Sequence, residues 1–260
     1  MYIKEEILFI IMNSFKGKLY ISDNPFNWPS GDMFAGLENY TEGIRKTGFF
    51  AAFGWSAFIT VGSVLVIVLF TSMTAWYITR VKTRLSNTLY YLFVFSMVVP
   101  FQMVMFTMSK LADMLKLNNP VGMIFLYLGF GAGLSVFMFC GFVKSIPLEI
   151  EEAAMIDGCT PIQTFFQIVM PILKPTAITV AILNAMWVWN DYLLPYLVIG
   201  VSTPYKTIPV AVQYLMGSYG AKDYGSMMAL LVLAIIPIIV FYLFCQKYII
   251  EGVVAGAVKG

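Results

Sequence analysis

The chain has 260 residues, 60% of them hydrophobic and only 12% charged, with a formal net charge of +2 and no histidine. Soluble domains carry about a quarter charged residues, so this composition belongs in a bilayer, and the small charge gives no case for a nucleic-acid partner. The lack of histidine removes a histidine base and histidine metal ligation, no G-x-x-x-x-G-K-[ST] phosphate loop is present, and Cys140, Cys159 and Cys245 stand at no metal-ligand spacing. No catalytic residue, metal site or cofactor is expected on this chain.

In chain order, the apolar segment Ile7–Met12 is too short to span, and the stretch after it, with Pro25, Pro29 and Gly31, reads as an external loop. Long apolar runs then cover Thr47–Thr79, Leu85–Ser109 and Leu117–Val143; a fourth begins after Lys174 and continues to about Leu197, and a fifth covers Tyr224–Gln246. Each is long enough to cross the hydrocarbon core, which takes about 20 residues. The fold class is therefore all-α: a polytopic membrane protein with five apparent transmembrane helices. Residues 1–48 form a leading segment and external loop, and 49–260 the membrane domain, with a polar loop at 144–174.

Arg80, Lys82 and Arg84 form the densest basic cluster, which places their loop in the cytoplasm. The 144–174 loop, two spans on, and the C-terminus with Lys247 and Lys259 then share that side, although Lys4, Lys16, Lys18, Arg45 and Lys46 fall outside. Five spans with the C-terminus inside leave Met1 outside. The expectation is a first span lost from the N-terminus, or residues 1–15 lying as an interfacial helix.

The 144–174 loop is the most structured polar segment. Pro147 suits a first helical turn, with Ser145 as a candidate cap, and Leu148–Ile156 then forms a short helix that Gly158 ends. Thr160-Pro161-Ile162-Gln163 reads as a capping box that opens a second helix, expected to run to Pro171. Ile150, Ala153 and Ala154 share one face of the first helix, continued by Asp157. Glu149, Glu151 and Glu152 offer carboxylates to a basic partner, with Glu151 expected on a more exposed face than Glu152. From charge alone a solvated acidic helix is the plainer explanation. The spacing E-A-A, three residues, Gly158, nine residues, Ile168, one residue, Met170, Pro171 reverses that preference.

Glu152-Ala153-Ala154-Met155-Ile156-Asp157-Gly158, with Ile168, Pro171 and Pro175, resembles the signature loop of the membrane subunits of ATP-driven, binding-protein-dependent importers, and more narrowly the carbohydrate permeases of the maltose type. Ser145-Ile146-Pro147-Leu148-Glu149, Trp189-Asn190-Asp191-Tyr192, Thr207-Ile208-Pro209-Val210, Gln246-Lys247-Tyr248 and Ala255-Gly256-Ala257-Val258-Lys259-Gly260 match the same pattern, from about Asn13 to the last residue. The chain departs at Met170, Cys159 and Asp191, where the family usually has leucine, alanine and glutamate. The family pattern has six spans, which agrees with a truncated or missing first one.

What the resemblance implies is half of a translocation pathway in a bacterial plasma membrane. Its partners would be a second homologous permease, two cytoplasmic ATPase subunits that hold ATP and Mg, and an extracellular or periplasmic sugar-binding protein. Glu149, Glu152, Ala153, Ala154, Asp157 and Gly158 would couple to the ATPase, and Ala255, Gly256 and Lys259 would lie in a tail reaching between the ATPases. Gln102, Trp189, Asn190, Asp191 and Tyr192 are candidate pathway residues. Trp187, Trp189, Tyr192 and Tyr196 suit a sugar face, and equally an interfacial aromatic belt. An importer of a non-sugar solute, a secondary transporter and a structural anchor remain as alternatives. The second would need buried ionisable residues, which the spans lack; the third would not need the two-helix loop.

Overall fold

The computed structural model describes residues 2–200, 203–216 and 223–257. The described residues are overwhelmingly helical, with one isolated antiparallel bridge, Lys16 to Phe34. The chain divides into two compact units, Met1–Phe58 with Asn190–Phe244, and Ile59–Trp189 with Cys245–Gly260.

In the first unit, α1 (Tyr2–Ser14), α2 (Lys18–Asp23) and α3 (Glu38–Thr47) precede the start of α4 (Phe49–Arg80). The polar end of α1 is tied down by its own side chains. Asn13 donates to the Pro25 carbonyl at 3.0 Å and Ser14 shares a 2.7 Å hydrogen bond with the Tyr40 hydroxyl. Lys16, fully buried, donates to the carbonyls of Asn24 and Pro25 at 2.8 and 3.0 Å. A buried ammonium is tolerable only because those carbonyls accept its hydrogen bonds. Farther on, Lys46 bonds Asp223 at 2.7 Å, and the Ile208 amide donates to the Ser56 hydroxyl at 2.8 Å.

The second unit holds the rest of α4, then α5 (Arg84–Ser96), α6 (Phe101–Met114), α7 (Pro120–Val143), α8 (Leu148–Ile156) and α9 (Pro161–Asn190) to Trp189. At 1.5 Å per residue, the 32 residues of α4 extend about 48 Å, beyond the roughly 30 Å hydrocarbon core. Gly62 of α4 faces Ile124 of α7, Ile67 faces Gly131, and the Cys140 thiol reaches the Ala75 carbonyl at 3.7 Å. These pairs rise together along both helices, so α4 and α7 run parallel. Two parallel helices in succession need a return between them, which α5 and α6 supply.

That return is not a straight span. The expected Leu85–Ser109 helix is instead two helices bent by 107° at the break before Phe101. Pro100, at φ −62° and ψ 135°, has no N–H to continue the ladder, its ring would clash with the Ser96 carbonyl, and it biases Val99 toward extended backbone. Among the described residues, four helices are long and apolar enough to cross a membrane, and five if the bent pair counts as one span.

Helix α7 is the centre of this unit, with 56% of its most apolar window buried. Asn119 accepts the Gly122 amide at 2.9 Å and Pro120 opens the first turn, so the start of α7 is fixed locally. Asn184 of α9 bonds the Ser135 hydroxyl of α7 at 3.2 Å, and Trp187 meets Tyr127 edge to face at 5.5 Å. At Gly131 an added Cβ would lie 2.7 Å from both the Asn184 side-chain oxygen Oδ1 and Ile67 Cδ1. Only a missing side chain allows α4, α7 and α9 to meet there.

The second loop helix, expected to end at Pro171, instead continues as α9 without interruption to Asn190. A wide five-residue turn occupies Phe165–Val169, separated from Pro171 by Met170 alone. Proline there removes a bond to the Gln167 carbonyl, and the loosened turn accommodates the ring where a tight one would clash. The last element, α12 (Tyr224–Ala257), follows α10 (Leu193–Pro195) and α11 (Ile208–Gln213), and carries Pro237 within it.

Candidate functional site

The site is the corner between α8 and α9. Helix α8 begins after Pro147, whose φ of −57° and ψ of 134° set the entry. Ser145 does not cap it, contrary to expectation, because its hydroxyl donates back to the Phe142 carbonyl at 2.8 Å. The helix ends at Ile156 as expected, and the exit closes on itself. The Gly158 amide donates to the Met155 carbonyl and the Cys159 amide to the Ala154 carbonyl, each at 3.0 Å. Those two bonds form a Schellman turn, and Gly158 takes its left-handed position at φ +93°.

A capping box follows directly. The Gln163 amide donates to the Thr160 hydroxyl at 3.3 Å, and the Thr160 amide donates to the Gln163 side chain at 2.8 Å. Successive caps satisfy the helix ends without help from outside the corner. The result is a stiff helix–turn–helix.

Charge is distributed across α8 unlike the sequence pattern suggests. Glu151 is 1% exposed, whereas Glu149, Glu152 and Asp157 are exposed. The sequence places Glu151 outward because helical periodicity alone has no way to reveal Arg80, 71 positions earlier. Arg80 closes on the Glu151 carboxylate through Nε, at 3.0 and 3.2 Å, and Nη2, at 2.7 Å, and Nη2 also donates to the Ile146 carbonyl at 2.9 Å. Trp76, one turn before Arg80, donates its indole N–H to Glu151 at 2.9 Å and packs on Phe165 at 5.5 Å.

The apolar face is also corrected. Ala154 is buried with Glu151, while Ile150 and Ala153 remain exposed, so the three do not form one outward surface. The outward surface comprises Glu149, Ile150, Glu152, Ala153 and Ile156, with Ile156 85% exposed. Acidic groups around an apolar, small-residue patch suit a partner with basic side chains flanking an apolar cleft. Trp76, Arg80 and Ile156 were missed in the sequence; Arg80 counted only as part of a basic loop.

The other candidates do not join this corner. Gln102 is exposed on the first turn of α6, and Trp189 belongs to the second unit, whereas Asn190, Asp191 and Tyr192 fall in the first. Asp191 accepts the Leu193 amide at 3.0 Å, which caps the turn leaving α9, and Tyr192 stacks on Tyr196 at 5.1 Å and 27°. Ala255 and Gly256 lie in the helical backbone of α12; Lys259 lies outside the described residues.

The described residues thus combine helices long enough to cross a membrane with a helical corner capped on both sides of its turn. Residues 67–254 match the model of the family described as binding-protein-dependent transport system inner membrane component, and the chain belongs to that family. It is 40% identical to the probable starch degradation products transport system permease protein AmyC of Thermoanaerobacterium thermosulfurigenes, over 96% of this chain and 89% of that protein. It is 36% identical to the multiple sugar-binding transport system permease protein MsmG of Streptococcus mutans, over 97% and 91%. A chain from the crystal structure of a bacterial ABC transporter that imports the acidic polysaccharide alginate shares the fold, with a TM-score of 0.72 at 20% identity over 94% of this chain and 89% of that one.

Proposed function

We propose that this chain forms half of the translocation pathway of an ATP-driven oligosaccharide importer, and that the outward face of α8 is where a separate ATPase acts on it. The observation that carries the proposal is the double capping of the corner: a Schellman turn and a capping box in succession fix the angle at which α8 leaves α9, as a lever requires. The printed names of the relatives, for starch degradation products and for multiple sugars, support a saccharide as cargo.

In this account no bond is made or broken on the chain. ATP and Mg are held by two partner ATPase subunits in the cytoplasm, a second permease completes the pathway, and an external sugar-binding protein delivers cargo. Arg80 contacts Glu151, so the basic loop and α8 occupy one end of the second unit, which we assign to the cytoplasm. From Pro161 the 30 residues of α9 extend about 45 Å, so Asn190 would lie at the opposite surface of the bilayer. Glu152 would pair with a basic ATPase residue, Ala153 would allow close approach, and Ala255, Gly256 and Lys259 would belong to a tail near the ATPases.

Because Glu152 is exposed, Glu152→Lys leaves the subunit folded and puts like charges together at the docking face. Loss of an interfacial charge pair costs about 2–5 kcal/mol, enough to strip the ATPase from a detergent-purified complex. Co-purification measures this directly. Full ATPase yield with Glu152→Lys would remove the docking face from α8.

A further inference from the structure

A carboxylate as buried as Glu151 is an expensive way to seat a helix. An apolar residue at that position would pack α8 without desolvating a charge, and buried ion pairs specify geometry more than they add stability. The geometry here is specific. Trp76 and Arg80 stand one turn apart on a single face of α4. Between them they hold both Glu151 oxygens and the Ile146 carbonyl just ahead of α8, through five hydrogen bonds of 2.7–3.2 Å. Trp76 also rests on Phe165 at the start of α9.

Peptide bonds tie α8 to α7 and α9 alone. The Trp76–Arg80 clasp adds α4, a helix without a break over its 32 residues. We propose that Arg80 and Trp76, through Glu151, are positioning residues that make the end of α4 follow α8 when the ATPase moves it. Their role is transmission, since neither touches nucleotide or cargo. The proposal rests on the importer function above. A guanidinium fork holding one carboxylate in two directions resists rotation as well as separation, which a single contact does not.

The test uses the complex of this chain with the ATPase subunits that co-purify with it, in lipid nanodiscs, followed by hydrogen exchange with and without Mg-ATP. In the wild-type complex, nucleotide changes exchange in 148–158 and also in 74–82. Glu151→Gln and Arg80→Lys keep the response at 148–158 and lose it at 74–82. Trp76→Phe, which retains a ring against Phe165 and deletes the donor, shows a reduced response there. Wild-type responses at 74–82 in Glu151→Gln and Arg80→Lys would overturn the proposal. So would failure of both variants to assemble, which would make the pair a folding element. A wild-type chain that captures no ATPase, or shows no response at 148–158, would instead overturn the importer function itself.

Discussion

Glu151→Lys is expected to yield a markedly less stable subunit, in contrast to its neighbour Glu152→Lys. The substitution leaves Arg80 facing a second cation in a site where the native carboxylate is 1% exposed, and it strips acceptors from the Arg80 guanidinium and the Trp76 indole. Breaking a buried pair from one side costs about 3–5 kcal/mol, a large part of the 5–15 kcal/mol that holds a typical protein together. Salt offers little relief, because a buried pair is screened far less than a surface one. Thermal unfolding in detergent should show a large drop in midpoint for Glu151→Lys and almost none for Glu152→Lys. A Glu151→Lys subunit that melts like the wild type would mean that the clasp contributes nothing to the fold.

Gly158→Val is expected to leave a subunit that inserts and accumulates but transports poorly. At φ +93° a β-branched residue is strained, at a cost of about 1–3 kcal/mol. An added Cβ at Gly158 meets nothing within 4 Å, so the cost is conformational and packing contributes none of it. The backbone relieves such strain by opening the Schellman turn, which frees α8 from the register that the capping box at Thr160 continues. Gly158→Asn, whose side chain tolerates the left-handed region, should lose less. Normal cargo uptake by Gly158→Val at equal abundance would show that the corner does not need to be stiff.

The corner was legible in the sequence because every bond that makes it is local. Pro147, Gly158 and the Thr160–Gln163 box act within five residues of their partners, and the backbone conformations they impose are those found. The apolar spans were legible from composition for a similar reason. Proline was harder to interpret. Pro100 turned an expected span through 107°, whereas Pro171, where the second loop helix was expected to end, sits inside a continuous helix that also takes in Pro175. The difference lies in what surrounds each ring: a wide turn before Pro171 takes up the strain, and the residues ahead of Pro100 leave the helix.

Long-range chemistry was not legible. Helix periodicity gives the relative direction of Glu151 and Glu152 but not which direction is inward, and that is decided by Trp76 and Arg80 on another helix. For the same reason the side chains that meet between α4 and α7, such as Ile124 against Gly62, emerge only from the structure, although the alternation of spans already made the two helices parallel. Arg80 illustrates the limit well: a basic residue at the end of an apolar span reads as an orientation signal, and here it is also the half-buried partner of a buried carboxylate.

In the proposed function, ATP hydrolysis on another chain moves a saccharide past this one. Reconstitution of the subunit with its partner permease, ATPase and binding protein into proteoliposomes, with uptake of labelled starch oligosaccharides as the readout, tests it most directly. Uptake should require Mg-ATP on the ATPase side and binding protein on the other, and should collapse in Gly158→Val. Uptake that proceeds without the ATPase, driven by an ion gradient, would contradict it.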